Sequence, residues 1–290
     1  MRSSKEIISL VLQVAKEDHR IRAVAMNGSR TNQRAPKDPF QDYDIVYLVT
    51  DMQTFINHPS WINVFGERIM MQTPENMFLF PPSLGGRFTY LMLFEDGNRI
   101  DLMLVPIEEK EAYYKEDSLT ILLLDKDDPS KSIPEPTDKG YWVKKPTLSF
   151  YLDCWNEFWW LSTYVAKGLW RKEVLYALDY MHHVRSMLLT MLEWKVGIDT
   201  DFSVSIGKSG KYLKQFVDKD IWEKYLRTFS ESNDDAIWNA LFEMIELFQD
   251  TALYVSKELQ FIYPLNEAEK VKSYLHHIHK LPEDAFEIYE

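Results

Sequence analysis

Cysteine is almost absent from this chain. Cys154 is the only one, which excludes an internal disulfide and any zinc centre built on cysteine clusters, and which fits a reducing compartment. Long apolar runs are missing as well. No stretch approaches the roughly 20 residues that a membrane-spanning helix needs, and the opening Met1-Arg2-Ser3-Ser4-Lys5-Glu6 leads into a segment broken by Gln13, Lys16 and Glu17. The expectation is a cytoplasmic protein without a membrane partner. Positive charge is in deficit, with 33 Lys and Arg against 45 Asp and Glu and a net charge of -12. Such a balance repels a phosphodiester backbone, so nucleic acid is not an expected partner, while solubility alone accounts for the charge. Apolar and aromatic residues are plentiful, 46% and 14% of 290 positions, enough for one large or two ordinary cores. Nothing in the residues specifies an oligomer, and a monomer is compatible with them.

Periodicity divides the chain in two. Ile7, Ile8, Val11, Leu12 and Ala15 give Ser4 to Asp18 a helical face behind a serine cap. Strands are expected at Ile21 to Asn27, Tyr43 to Thr50, Glu67 to Gln72, Arg87 to Glu95 and Asn98 to Ile107, the last two joined by the hairpin signal Asp96-Gly97. Pro36 and Pro39 leave a short turn and a loop after Asn27. Between Lys126 and Pro146 lie Pro129, Pro134, Pro136 and Pro146 among charges, which marks an interdomain crossing and divides the chain into 1–144 and 145–290. Beyond it, Thr147 to Gly168, Lys172 to Val196, Lys211 to Phe229, Ala236 to Leu259 and Asn266 to Lys280 read as helices. The fold class is therefore an α/β (α+β) first domain with a mixed sheet, followed by an all-α bundle.

Chemistry concentrates in the first domain. A strand ends in Gly28-Ser29-Arg30, and such a turn offers N–H groups and a hydroxyl to phosphate oxygens. Asp42 and Asp44 follow, two apart and so aimed to one side of a strand. Asp101 sits within the apolar run Ile100-Asp101-Leu102-Met103-Leu104-Val105. Three carboxylates on buried strands repel one another unless a hard cation lies among them, and magnesium is the expected one. Gly-Ser alone is an ordinary turn; the three carboxylates that follow give it meaning. Arg30 reads equally as a phosphate partner or an exposed turn residue.

This layout resembles the signature of the nucleotidyltransferase superfamily. Longer strings are more specific: Gly28-Ser29-Arg30-Thr31-Asn32, Phe40-Gln41-Asp42-Tyr43-Asp44, Arg68-Ile69-Met70-Met71-Gln72, Leu93-Phe94-Glu95-Asp96-Gly97-Asn98 and Asn156-Glu157-Phe158-Trp159 resemble the aminoglycoside 6-adenylyltransferases, over nearly the whole chain. The resemblance implies Mg2+-dependent transfer of AMP from ATP to a hydroxyl of an aminoglycoside, most typically streptomycin, with pyrophosphate leaving. Asp42 and Asp44 would hold metal, and Ser29 would seat the departing phosphates. Asp101 would complete the metal site or accept the hydroxyl proton, with Glu157 the second choice of base.

An acceptor rich in guanidinium groups calls for carboxylates and flat apolar walls. Asp153 and Glu157 share a helix face, and Trp155, Trp159, Trp160 and Tyr164 crowd the same segment. The aromatics as a group read as bundle core, the two acids equally as a solvated pair or as substrate ligands, with Trp159 the aromatic named beside them. Gly207-Lys208-Ser209-Gly210-Lys211-Tyr212 resembles a phosphate loop, but a Walker motif needs glycine at Ser205 and Ser or Thr at Tyr212. In related aminoglycoside enzymes a lysine of the helical domain reaches the nucleotide, a task that would suit Lys208 or Lys211, with Tyr212 beside it. His182 and His183 diverge on a helix, and His276 and His279 lack a supporting acid pattern, so zinc is not expected. Two rivals stand: the same reaction with another acceptor, and a non-catalytic nucleotide-binding regulator, whose usual mark is loss of one of the carboxylates present here.

Overall fold

Ser3 closes a capping box in the computed structural model of the chain, which describes residues 1–289. Its hydroxyl accepts from the Glu6 N–H, and the Glu6 carboxylate accepts from the Ser3 N–H at 2.7 Å. Helix α1 (Ser4–Glu17) starts there and buries Ile7, Val11 and Ala15, one stripe at four-residue spacing. Six strands follow, β1 (Ile21–Asn27), β2 (Tyr43–Val49), β3 (Arg68–Gln72), β4 (Phe88–Phe94), β5 (Arg99–Pro106) and β6 (Ile121–Asp125), with short helices α2 (Met52–Asn57) and α3 (Lys110–Tyr113) between them. They make one sheet in the order β3-β4-β5-β2-β1-β6. The central pair β2–β5 is parallel and every other neighbouring pair antiparallel, so the sheet is mixed.

Side-chain alternation splits the sheet into two faces. Val24, Met26, Ile45, Tyr47, Leu102 and Leu104 share a core with the stripe of α1 and with Phe55 and Phe65. On the other face Ala23, Ala25, Val46, Leu48 and Val105 meet Tyr113 and Tyr114. The same alternation carries Asn27, Asp44 and Asp101 to the end of this second face, where polar side chains replace apolar ones.

The chain divides into two compact units, Met1–Gly140 and Tyr141–Glu290. The second is helical: α4 (Leu148–Trp170), α5 (Val174–Asp199), α6 (Lys219–Arg227), α7 (Asp234–Leu259) and α8 (Leu265–Lys280). Thr147 and Asn233 cap α4 and α7 by accepting from the N–H groups of Phe150 and Ala236. The core includes Phe158 of α4 stacked on Phe248 of α7, ring centroids 3.6 Å apart. Among the described residues no helix is long and apolar enough to cross a membrane.

Two expectations need correction. Lys211 to Phe229 is not one helix: a 3-10 turn covers Leu213–Gln215, and α6 begins only after the extended Asp218. Asp42 lies one residue ahead of β2 rather than within it. Strand β6, an apolar Ile-Leu-Leu-Leu run too short to show a period, was not anticipated; it takes the sheet edge beside β1.

Candidate active site

The turn after β1 is built around one glycine. Gly28 has φ +78, and a Cβ placed on it would lie 2.0 Å from Asp44 Oδ2; only glycine lets the turn and the carboxylate occupy adjoining space. Thr31 Oγ1 donates to the Gly28 carbonyl at 2.9 Å and also to that of Leu119. Asn27, the residue before, donates from Nδ2 to the Tyr113 hydroxyl at 2.7 Å.

The loop that delivers Asp42 is laced to this turn. Arg30 donates to the carbonyls of Asp42 (2.9 Å) and Gln41 (2.6 Å), and its guanidinium lies 3.6 Å from the centroid of the Tyr43 ring. Gln41 donates back to the Ser29 carbonyl at 3.2 Å. Arg30 thus spends Nε and Nη2 on backbone, and what these bonds position is the chain around Asp42.

Strand register brings in the third carboxylate. Asp44 is paired with Asn27 across the antiparallel β1–β2 ladder and with Asp101 across the parallel β2–β5 ladder. Asp42, Asp44 and Asp101 each offer an oxygen within 4.8 Å of the others. Burial above all, then the charges of Asp42 and Asp101, pushes the Asp44 carboxyl up to about 7. Arg99, two residues before Asp101 and on the same face, forks onto it with Nε–Oδ1 and Nη2–Oδ2 both 2.7 Å and lies 3.9 Å from Asp42. This arginine went unnoticed in the sequence; its period-two relation to Asp101 was the available signal. An all-oxygen set of three carboxylates against a turn too tight for a Cβ suits a small hard cation.

Of the residues expected in the helical unit, some converge and some do not. Phe150, Asp153, Cys154, Asn156 and Glu157 of α4 and Met187, Thr190 and Trp194 of α5 line a groove of about 480 Å³. Cys154 Sγ donates to the Met187 carbonyl at 3.4 Å and helps join the two walls. Asp153 and Glu157 are exposed on it. Trp159 is only 2% exposed and packs in the bundle core against Phe158 and Phe248, not in the groove. Trp194, which the sequence did not single out, lines the groove instead. Lys208 is exposed on the Gly207–Gly210 turn, while Lys211 Nζ sits 5.0 Å from the centroid of its neighbour Tyr212.

A family model described as streptomycin adenylyltransferase matches residues 1–278. The aminoglycoside 6-adenylyltransferase of Bacillus subtilis (strain 168) is 45% identical over 266 residues, 91% of this chain and 94% of its own length. That of Campylobacter jejuni is 45% identical over 276 residues, 95% of each chain. A crystal structure of an aminoglycoside 6-adenyltransferase from Bacillus subtilis aligns with a TM-score of 0.49 at 40% identity, covering 97% of this chain and 100% of that one. With the match running along almost its entire length, the chain belongs to the streptomycin adenylyltransferase family and is a nucleotidyltransferase.

Proposed function

We propose that this enzyme works in the cytoplasm and transfers AMP from ATP to a hydroxyl of an aminoglycoside, position 6 of streptomycin, releasing pyrophosphate and conferring resistance. The observation that carries the reading is the convergence of Asp42, Asp44 and Asp101 within 4.8 Å beside the Gly28-Ser29 turn. A divalent cation on these carboxylates, Mg2+ in this proposal, would supply Lewis-acid polarisation of the α-phosphorus and offset the charge gathering on pyrophosphate. The Ser29 hydroxyl seats the departing phosphates. The acceptor oxygen attacks the α-phosphorus, the bond to the bridging oxygen of the β-phosphate breaks, and the acceptor proton passes to Asp101 or, as the second choice, Glu157. Asp153 and Glu157 receive the acceptor's cationic groups along the α4–α5 groove. Lys208 or Lys211, with Tyr212 beside it, is assigned to the nucleotide.

The direct test mixes purified protein with ATP, MgCl2 and a panel of aminoglycosides and follows pyrophosphate. Release with streptomycin, abolished by chelation of the metal, is the expected result. Release only with other acceptors would replace the substrate and keep the reaction, and no release with any acceptor would leave the regulator reading in its place.

A further inference from the structure

Among the described residues, Arg99 is the only cation in ion-pair reach of the carboxylate triad. Its fork occupies both oxygens of Asp101, each at 2.7 Å, and its Nε lies 3.9 Å from Asp42. Among the described residues no backbone carbonyl and no aromatic ring holds it. With a side chain 48% exposed, Arg99 has carboxylates as its sole anchors and room to leave them.

A divalent cation drawn to Asp101 competes with this fork, because the fork already spends one lone-pair site on each oxygen and holds a positive charge beside the oxygens the cation would take, so the two cations repel. The displaced guanidinium then carries unpaired donors beside the triad, where the nearest incoming anion is the triphosphate, and the planar fork matches phosphate oxygens as well as it matches a carboxylate. We propose that Arg99 is an exchange residue. It competes with the divalent cation for Asp101, and on displacement it pairs with a phosphate of the nucleotide, so that cation and nucleotide favour each other's binding through one side chain. This rests on the reading of Asp42, Asp44 and Asp101 as cation ligands.

The test uses full-length protein and two variants, Arg99→Gln and Arg99→Lys, first confirmed as folded by circular dichroism and thermal melting. Mn2+ alone is titrated by electron paramagnetic resonance, and α,β-methylene-ATP is then titrated at saturating Mn2+ by calorimetry. Both variants lose the fork and are expected to bind Mn2+ alone about 3-fold tighter, the scale of one exposed ion pair. Arg99→Gln is expected to bind the nucleotide about 10-fold more weakly, the scale of one charge-assisted bond, with Arg99→Lys in between. Opposite shifts in a single variant are not what a general loss of structure produces. Wild-type Mn2+ affinity in Arg99→Lys would reduce Arg99 to a charge acting at a distance, and wild-type nucleotide affinity in Arg99→Gln would remove its phosphate role; either result overturns the proposal. A wild-type protein that holds no Mn2+, with or without nucleotide, would instead overturn the reading of the triad and the proposal with it.

Discussion

At the scale of single residues the site depends on what is small as much as on what is charged. Gly28→Ala would force a Cβ onto Asp44 Oδ2 and a side chain into positive φ, a backbone cost of about 1–3 kcal/mol. Asp44→Asn removes the charge but not the shape. Both are expected to lower AMP transfer by at least about 100-fold, since transition-state charge stabilisation at such a centre is worth several kcal/mol. Only Gly28→Ala should also lower the melting temperature, and a steady-state pyrophosphate assay beside a thermal melt separates the two. The sequence displayed this part of the site well, because an aspartate amid Ile100-Asp101-Leu102 is anomalous wherever the strand goes. It displayed Arg99 and Arg30 poorly. An arginine announces a charge but not its partner, and only the fold shows that Arg30 is bound to carbonyls while Arg99 faces the triad.

Elements carry the next level of specificity. The four-residue spacing of Asp153 and Glu157 was readable, but the opposite wall of their groove was not, because which face of α5 meets α4 is decided by packing of the whole bundle. Trp159 shows the same limit: its neighbours in sequence do not reveal that its ring points to the core. With Asp153→Asn and Glu157→Gln together, streptomycin affinity should fall about 10-fold or more, as one or two charge-assisted contacts are lost, while ATP affinity stays unchanged. Isothermal titration with each ligand checks this, and an unaltered drug affinity would place acceptor binding elsewhere. The hairpin between β4 and β5 offers a separate test. Asp96 at its tip accepts from the side chain and backbone N–H of Arg2, and these bonds, led by the Arg2 side chain, hold its carboxyl well below the usual range. A depressed carboxylate contributes stability that is present above its unfolded value of about 3.9 and fades as pH falls below it. Urea melts at pH 5 and pH 3 should therefore show a smaller acid loss for Asp96→Asn than for the wild type.

The whole molecule adds a field to these local contacts. A net charge of -12 is compatible with drawing a polycationic acceptor towards the protein, and salt screens such a field beyond about 10 Å at 0.1 M. Raising KCl from about 0.05 to about 0.5 M, a span over which the Debye length shortens severalfold, should raise KM for streptomycin while leaving kcat near its low-salt value. An aminoglycoside of fewer positive charges, assayed in parallel, should respond less.

The parallel pairing of β2 with β5 has a consequence for how the enzyme comes into being. Parallel neighbours cannot be joined by a tight turn, and here α2, β3 and β4 intervene, so Asp44 and Asp101 are far apart along the chain and adjacent only after that long loop has closed. Closure of this kind is slow and comes at the expense of chain entropy. A nascent chain that has emerged only as far as β4 owns Gly28, Asp42 and Asp44 and still has no triad. On the proposed reading of the triad as a cation site, cation affinity would be tied to completion of the sheet, and a divalent ion bound there would add its binding free energy to the folded form alone.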